Sequence, residues 1–434
     1  MTTRATGPST ALLTDHYELT MLQAALAGGT AQRRSVFELF GRRLPAGRRY
    51  GVVAGVGRAL DAIERFVFDD EVISVLRDGG VVDEHTVEWL AGYRFSGHVW
   101  GYPEGEIYFP YSPLMVVESS FAEAVLLETV LLSILNHDSA IASAASRMTC
   151  AAGDRPCIEM GSRRTHEEAA VAAARAAYVA GFTATSNLAA RQRHGIPTTG
   201  TSAHSFTLLH DSERDAFTAQ VQSLGRGTTL LVDTYDIAEA VRVGVEVAGP
   251  ELGAVRLDSG DLGLLAVDVR AQLDSLGAKD TRIIVTSDLD EFAIAALSAA
   301  PVDGYGVGTS LVTGSGHPTC GFVYKLVSRA GDDGTMVDVA KVSKDKASLG
   351  GRKYALRRRN AQGVAEAEVV GVGDRPVDDG DDRELLVPLV RDGEVVGRED
   401  LETGRARHLA ARAELPVQAH QMSRGEPVIP TLHQ

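Results

Sequence analysis

The stretch TTLLVDTYDIAEAVRVGVEVAGPELGAVRLDS, residues 228–259, decides the fold. Two short runs of apolar residues, TTLLVDT and GAVRLDS, flank the segment DIAEAVRVGVEV, in which apolar residues recur at helical spacing. An unbroken apolar run on each side of a helix is typical of parallel strands that are buried on both faces. The stretch therefore predicts a strand, a helix and a second strand of a parallel sheet.

The same rhythm runs on both sides of this stretch. Further short runs of apolar and β-branched residues lead into charged, hydroxyl or glycine residues. They are PCIEMG (156–161), FTATSN (182–187), TTGTSAH (198–204), RIIVTSD (282–288) and DGYGVGT (303–309). Helical patterns lie between most of these runs, and the repeat is about 25 residues, as expected for βα units. Together the runs predict a barrel of the TIM type or an incomplete relative of it. The alternative is an open doubly wound sheet, but no predicted strand is followed by the GxGxxG turn of such a sheet.

The two ends of the chain differ in character from the middle. Residues 1–125 mix helical patterns with strand patterns such as SVFELF and RFSGHVWGY, and the segments after residue 335 look like antiparallel strands joined by turns. These later strand patterns are MVDVAKVS (336–343), YALRRR (354–359), AEAEVVGV (365–372) and ELLVPLVRDGEVV (384–396). We therefore predict an α/β protein with an incomplete TIM-like barrel at 126–335. A smaller α+β domain is built from 1–125 and 336–434.

Composition limits the classes of function. The chain has 434 residues, a net charge of −15 and 44% hydrophobic residues, which argues against disorder and against nucleic acid as a partner. Three cysteines without a CxxC pair fit a reducing compartment and give no zinc signal. The first residues, MTTRATGPST, lack the apolar run of a signal peptide, and FAEAVLLETVLLSILNH is interrupted by glutamates, as in a core helix. We expect a cytoplasmic protein without a membrane partner.

Polar or glycine residues follow each predicted strand of the barrel. Functional side chains of such barrels lie where strands end, so these residues are the site candidates. They are Glu159, Arg163, Ser186, Asn187, His204, Asp233, Arg256, Asp258, Asp288, Gly306, Gly308 and Thr309.

His204 and Asp233 are predicted to follow neighbouring strands. A carboxylate beside an imidazole fixes its tautomer and stabilises the imidazolium, so the pair can act as a nucleophile or a general base. The alternative is a histidine that only makes a hydrogen bond at the start of a loop.

Two further motifs and one arginine suit a phosphorylated substrate. In RLDSGDL, Asp258 can bind ribose hydroxyls or Mg²⁺, and the nearby amides can meet a phosphate, although Ser259 or Asp261 could simply cap a helix. In GYGVGTSL, the glycines before Thr309 allow close approach to a phosphate. Arg163 can bind a carboxylate or phosphate; alternatively, Arg163 and Arg164 are two exposed residues at the start of a helix. The residues thus indicate a barrel enzyme that acts on a phosphorylated, sugar-containing substrate.

Several motifs together resemble those of the nicotinate phosphoribosyltransferase family over nearly the whole chain. They are LLTDHYELTM (12–21), EMGSRRTHEEA (159–169), FTATSN, GTSAHSF (200–206), VDTYD (232–236), VRLDSGDL (255–262), TSDLDE (286–291), GYGVGTSLVT (304–313) and LVPLVRDGEVVG (386–397). The resemblance implies a type II phosphoribosyltransferase fold. It also implies that nicotinate and 5-phosphoribosyl 1-pyrophosphate form nicotinate mononucleotide and pyrophosphate. It further implies that ATP hydrolysis is coupled to this reaction through a phosphohistidine, with Mg²⁺ as a cofactor.

The resemblance also assigns roles to single residues. It implies that His204 is the phosphorylated histidine, with Asp233 as its carboxylate partner. The other positions it marks as substrate-binding are Arg163 near the pyridine ring, Arg256 and Asp258 at nucleotide-contacting positions, Ser186, Ser259, Gly260 and Asp288 at the same rim, and Gly306, Gly308 and Thr309 in the 5′-phosphate loop. Tyr17 matches an aromatic residue that stacks on the pyridine from the neighbouring subunit, which implies a homodimer with shared sites.

Met160 departs from the pattern, because the related nicotinamide-using enzymes place a stacking aromatic there. Three alternatives stay open from the sequence. A nicotinamide phosphoribosyltransferase is disfavoured by Ser186, which stands where that family has an acidic residue. An unrelated barrel enzyme of phosphosugar metabolism leaves the C-terminal motifs unexplained. A non-catalytic nucleotide-binding regulator would have lost a catalytic group, yet His204 and Asp233 are both present.

Overall fold

The computed structural model describes residues 7–341 and 349–434, which divide into two units. The end unit combines the chain up to Ser143 with the chain from His317 to Gln434, and the barrel unit is Ala144–Gly316. The end unit takes in more of the chain than the barrel unit does. Residues 1–6 and the last two residues of MVDVAKVS lie outside the described residues.

The described residues form fifteen α-helices and nineteen strands. The helices are α1 (His16–Ala27), α2 (Val56–Glu64), α3 (Asp70–Asp78), α4 (Glu84–Ala91), α5 (Phe121–Val125), α6 (Glu128–Ala152), α7 (Glu167–Val179), α8 (Leu188–His194), α9 (His204–Leu208), α10 (Glu213–Leu224), α11 (Ile237–Ala248), α12 (Leu262–Ser275), α13 (Glu291–Ala296), α14 (Thr309–Val312) and α15 (Leu401–Ala413).

The first eleven strands are β1 (Arg34–Gly41), β2 (Gly51–Val52), β3 (His98–Gly101), β4 (Ile107–Tyr108), β5 (Met115–Ser120), β6 (Cys157–Glu159), β7 (Ala184–Thr185), β8 (Thr229–Leu231), β9 (Ala254–Leu257), β10 (Arg282–Val285) and β11 (Gly304–Val307). The others are β12 (Phe322–Ala330), β13 (Met336–Asp338), β14 (Lys353–Arg359), β15 (Ala365–Val372), β16 (Arg383–Glu384), β17 (Val387–Arg391), β18 (Glu394–Val395) and β19 (Thr431–His433).

The barrel unit contains a six-stranded sheet in the order β7–β6–β11–β10–β9–β8, and every pair in it is parallel. A single parallel bridge joins Thr185 to Thr198 beyond β7. Within the described residues no pairing joins that bridge to β8, so the sheet curls without closing. The predicted incomplete α/β barrel is confirmed.

The helices of the barrel unit begin and end at the residues that helix chemistry favours. Asp236 caps α11 by accepting a hydrogen bond from the Glu239 amide at 2.8 Å, and α11 ends at Gly249, whose φ is +81°. Asp261 caps α12 by accepting from the Leu264 amide at 3.2 Å. The sequence predicted that Ser259 or Asp261 could cap this helix, and Asp261 does so. Asp258 and Ser259 are therefore available for other contacts.

One predicted strand of the barrel is wrong. TTGTSAH was expected to be the third strand, but only Thr198 makes a bridge, and His204 is the first residue of the short helix α9. The reason is composition, because residues 198–204 carry no large apolar side chain that burial between two layers of helices would stabilise.

The end unit is built around a seven-stranded antiparallel sheet in the order β13–β12–β1–β5–β3–β17–β18. Its centre joins the two ends of the chain, because β1 pairs with β12 on one side and with β5 on the other. A second sheet has the order β16–β14–β15–β19, with only the β15–β19 pair parallel, and β2 pairs with β4. The strand patterns after residue 335 thus form mainly antiparallel sheets.

The unit boundaries differ from the boundaries drawn on the sequence. The sequence placed them at 125/126 and 335/336, whereas the units meet at Ser143/Ala144 and Gly316/His317. The first shift arises because α6 is one continuous helix across the boundary, so composition does not change there. The second arises because β12 pairs with β1 and therefore belongs to the end unit.

The helical stretch Phe121–Ala152, which takes in α5 and α6, is the one stretch among the described residues long and apolar enough to cross a membrane. However, 67% of its most apolar window is buried inside the protein. That burial is typical of a core helix, and Leu131 and Leu135 are among its buried residues.

Candidate active site

The carboxyl ends of the barrel strands meet at one edge of the sheet. Backbone hydrogen bonds continue just past the strands, from the Met160 amide to the Val307 carbonyl at 2.8 Å and from the Thr286 amide to the Leu257 carbonyl at 2.9 Å. The residues that follow the strands therefore form a common rim, as expected for parallel strands. We call this edge the barrel rim.

His204 and Asp233 lie close together at the barrel rim. The His204 Nε2 atom is 4.0 Å from Asp233 Oδ1, and His204 Nδ1 lies 3.1 Å from the hydroxyl of Thr234. The Asp233 side chain is only 2% exposed, whereas that of His204 is 42% exposed. A buried carboxylate thus faces an imidazole whose other side is open to solvent.

The two oxygens of Asp233 have different surroundings. Its Oδ2 accepts hydrogen bonds from the Asp258 amide at 3.0 Å and from the Ser259 hydroxyl at 2.7 Å. Its Oδ1, which faces His204, is buried and accepts no hydrogen bond from the described residues. A buried carboxylate oxygen is costly without a partner, so Oδ1 is poised to accept a proton-bearing group such as an imidazole N–H.

Arg256 brings a cation to the same place. Its guanidinium donates to the Thr201 hydroxyl and to the Ser202 carbonyl, which lies 3.1 Å away, so it ties the loop before His204 to β9. Burial lowers the pKa of Arg256, and the nearby charge of Arg163 lowers it further, whereas Asp258 and Asp233 act in the opposite direction. Its Nε is buried and donates to nothing in the described chain.

Asp258 and Asp288 supply further carboxylates at the rim. One oxygen of Asp258 accepts a hydrogen bond from the Thr286 hydroxyl, which orients the carboxylate. Asp288 is exposed and follows Ser287, whose φ is +112°. That φ is rare for a residue with a side chain and marks local strain at the end of β10, where strained residues often cluster around functional sites.

Glu159 is buried beneath the first two strand ends. Its carboxylate accepts hydrogen bonds from the Gly161 amide and the Thr185 hydroxyl, and burial raises its pKa. The Ser186 amide donates to the Glu159 carbonyl at 2.8 Å, and the Ser186 side chain is exposed. Glu159 therefore shapes the rim from below, while Ser186 faces outward. Asn187 caps α8 by accepting from the Ala190 amide at 2.9 Å.

The two glycines of the GYGVGTSL turn are in different environments. Gly306 is buried, and a Cβ there would lie 2.6 Å from Thr286 Cγ2 and 2.7 Å from the sulfur of Met160. Its small size is thus already required by packing. Gly308 is more open, since a Cβ there would lie 3.5 Å from the Met160 carbonyl oxygen and 3.9 Å from the Met160 carbonyl carbon. Thr309 is exposed and begins α14.

Arg163, Gly260 and Tyr17 are the remaining candidates. Arg163 and Arg164 lie in a single 3₁₀ turn and are exposed. Gly260 has a φ of +87°, which favours glycine regardless of any ligand. Tyr17 belongs to the end unit, where it is the second residue of α1 and 44% exposed.

The sequence missed the hydroxyl residues that hold the charged groups. Thr234 faces His204, Thr286 holds Asp258, and Thr201 accepts from Arg256. Their position in the sequence could have identified two of them, because Thr234 follows Asp233 directly and Thr286 lies two residues before Asp288. Threonine is too common in strands for that signal to select them.

Comparison with known proteins gives the family. A family model described as the nicotinate phosphoribosyltransferase N-terminal domain matches residues 12–136. The chain is 57% identical to nicotinate phosphoribosyltransferase pncB1 of Mycobacterium tuberculosis over 429 residues, with 97% of this chain and 94% of the relative covered.

Two further comparisons agree with this result. The chain is 39% identical to the nicotinate phosphoribosyltransferase of Bacillus subtilis, with 86% of this chain and 78% of the relative covered. Its structure is similar to that of human nicotinic acid phosphoribosyltransferase, with a TM-score of 0.82, 25% identity and 97% of both chains covered. The chain therefore belongs to the nicotinate phosphoribosyltransferase family of enzymes.

Proposed function

We propose that this chain joins nicotinate to 5-phosphoribosyl 1-pyrophosphate, forming nicotinate mononucleotide and pyrophosphate, and couples the reaction to ATP hydrolysis. The names of its relatives support the first part. One observation carries the second part, which is the placement of an accessible His204 4.0 Å from the unpartnered oxygen of the buried Asp233.

His204 takes the γ-phosphoryl group of ATP in this proposal. A ring nitrogen forms a bond to phosphorus, the bond from phosphorus to the bridging oxygen breaks, and ADP leaves with that oxygen. The ring gains positive charge as the bond forms, and the Asp233 carboxylate stabilises that charge across a short distance in a poorly solvated position. Water later hydrolyses the phosphohistidine and returns the ring to its neutral form.

The phosphoribosyl group is bound by the next strand ends. Asp258 offers a carboxylate oxygen to ribose hydroxyls, and the amides of Gly260 and Asp261, which follow it in the chain, bind the same ligand. Gly308 and Thr309 bind the 5′-phosphate, because the open space at Gly308 lets a phosphate approach the backbone. Gly306 supports this turn by its packing rather than by contact with the ligand.

Nicotinate is recognised through its carboxylate. The charges of Arg163 and Arg256 interact at the rim, and a second cation near a first favours an anion between them. Ser186 adds an exposed hydroxyl donor after the neighbouring strand. Tyr17 contributes a ring that stacks on the pyridine of a partner subunit, so the active form in this proposal is a homodimer.

Mg²⁺ fits the donor chemistry of the rim. Asp258, Asp288 and the unpartnered oxygen of Asp233 are oxygen ligands of the type that Mg²⁺ prefers. In the described chain they do not form a closed cluster of three ligand atoms, which suits an ion that keeps water and is shared with substrate phosphates. When bound, the ion neutralises phosphate charge, and we assign Asp258 and Asp288 to hold it.

We place the reaction in the cytoplasm. In the described chain none of the three cysteines forms a disulfide, and two of them are buried, as in proteins of reducing compartments.

The test is a coupled assay of the pure protein with nicotinate or nicotinamide, each with and without ATP. We expect nicotinate mononucleotide, stimulation by ATP, and protein-bound label from γ-labelled ATP that is stable in base and labile in acid. Preferential use of nicotinamide would assign the chain to the other substrate. Label that survives hot acid would move the phosphoryl acceptor to Ser202 or Ser205.

A further inference from the structure

The end unit contains a cavity of about 590 Å³ that the proposed reaction does not use. Its walls come from β3, β5, β14 and the segments around β16 and β17. The volume lies within the range of about 300–1,000 Å³ that is typical of sites for small molecules. All lining residues belong to the end unit, so the cavity is complete within one unit.

Three arginines and two large aromatic rings line this cavity, together with the carboxylates of Glu118, Asp378 and Glu384. The Arg352 guanidinium carbon lies 3.9 Å from the centre of the Tyr354 ring and 5.5 Å from that of the Trp100 ring. Arg375 lies 5.7 Å from the Tyr354 ring, and Arg391 lies 6.0 Å from the Trp100 ring. Two rings thus hold three guanidinium groups at one surface.

Stacking on an aromatic face orients a guanidinium without using its hydrogen-bond donors, which point outward in the plane of the group. Arg352 donates its Nε to Glu118 at 2.9 Å and its Nη1 to the Lys353 carbonyl at 2.6 Å, and Arg375 is paired with Glu384. Arg391 has neither an ion pair nor a hydrogen-bond acceptor for its guanidinium in the described chain. It is therefore the one cation of the three whose donors are all available to a ligand.

We infer that this cavity is a second, non-catalytic site for a small phosphate-bearing anion. A planar fork of donors matches phosphate oxygens in a bidentate way, and phosphate carries enough charge and oxygens to engage Arg391 together with the Nη2 of Arg352. The aromatic rings give the rest of the cavity a surface on which the organic part of a phosphate ester can lie.

The chain offers a local reporter for this site. It has two tryptophans, Trp89 and Trp100, and only Trp100 lines the cavity. In a Trp89→Phe parent, the emission therefore comes from Trp100 alone. Titration calorimetry gives the stoichiometry in parallel, at constant ionic strength. The titrants are inorganic phosphate, pyrophosphate and ribose 5-phosphate, and they distinguish a free anion from a phosphate ester.

We expect saturable binding with a change in Trp100 emission. Arg391→Gln should weaken this binding about tenfold, the effect of losing one charge-assisted contact. The control is Arg34→Gln, which removes an exposed cation from the same sheet outside the cavity and should leave the binding unchanged.

A Gly308→Val variant separates this site from the barrel rim, and it should keep the Trp100 response. Loss of the response in that variant would assign it to the rim and overturn the inference. Three other results would also overturn the inference. They are equal binding by Arg391→Gln and its parent, the absence of any binding event beyond the rim site, and a response to nicotinate in place of the phosphates.

Discussion

Side chains at the barrel rim differ in how firmly contacts hold them. Their replacement therefore affects catalysis and folding to different degrees. His204 touches Thr234 and faces Asp233, but it is 42% exposed and contributes little to the core. Asp233 is the opposite case, because it is buried and accepts two hydrogen bonds. Variants of His204 therefore report on chemistry, whereas variants of Asp233 also disturb packing.

Replacing His204 by Ala should abolish ATP hydrolysis and protein labelling while changing the free energy of unfolding by less than about 1 kcal/mol. The control is His210→Ala, which also removes an imidazole. The His210 Nδ1 atom lies 2.8 Å from the Phe206 carbonyl oxygen. Hydrolysis and urea unfolding are measured for both. Hydrolysis at the parent rate in His204→Ala would remove this residue from the proposed reaction.

Ser186→Asp should shift the preference from nicotinate toward nicotinamide. Two like charges about 4 Å apart repel by roughly 4 kcal/mol at an effective dielectric near 20, which is an upper guide because Ser186 is exposed. The amide of nicotinamide can instead donate to the new carboxylate. The ratio of the two kcat/KM values is measured, with Ser186→Asn as the uncharged control. A ratio within twofold of the parent in a folded variant would show that Ser186 does not face the carboxylate.

At the scale of elements, the phosphate turn depends on how α14 packs. A Cβ on Gly161 would lie 2.3 Å from Val312 Cγ1 and 3.1 Å from the Gly308 carbonyl oxygen. Gly161 thus permits the turn after β6 to lie directly against α14. The position of Gly308 and Thr309 is set by this contact between two elements rather than by the turn alone.

Gly161→Ala should therefore destabilise the protein by about 1–3 kcal/mol, the usual cost of overpacking. It should also raise the KM for phosphoribosyl pyrophosphate more than that for nicotinate. Gly200→Ala is the control for stability, since a Cβ there meets nothing within 4 Å and the backbone φ needs no glycine. Equal stability of the two variants would mean that α14 moves aside without cost.

Sequence periodicity predicted the elements better than their contacts. The βα rhythm gave the parallel sheet because buried strands and amphipathic helices leave distinct patterns, and Asp261 was recognised as a possible cap. The prediction of the third strand was wrong. Its residues are small and mostly polar, so they lack the large apolar side chains that stabilise a buried strand. The partner of Asp258, Thr286, lies 28 residues away, and no local pattern encodes such a contact. The roles assigned to the rim residues stay predictions.

For the molecule as a whole, one buried carboxyl should make stability depend on pH. Glu18 in the end unit is fully buried and accepts hydrogen bonds from Thr14 and Thr129. Burial raises its pKa to about 7, with a smaller contribution from the charge of Glu128. Between pH 4.5 and 7 the folded state therefore binds more protons than the unfolded chain. The free energy of unfolding should accordingly fall as pH rises through this window.

Glu18→Gln should remove the contribution of this residue to the pH dependence. The difference in unfolding free energy, variant minus parent, should rise across pH 4.5 to 7 by up to about 3 kcal/mol. Urea unfolding at several pH values measures it, and the exposed Glu71→Gln is the control. A difference that stays flat across the window would show that Glu18 ionises in the folded protein as it does in the unfolded chain.

Amide hydrogen exchange should divide the open barrel into a slow side and a fast side. The amides of residues 200–203 donate to no acceptor in the described chain, whereas the Thr286 amide, beyond β10, is bonded to the Leu257 carbonyl. Exchange before His204 should thus approach the rate of an unprotected loop, while amides of β9 and β10 exchange only through larger openings. Protected amides at 200–203 would contradict this. The missing third strand thus leaves the proposed phosphoryl acceptor on a segment that can shift while the sheet keeps all its hydrogen bonds.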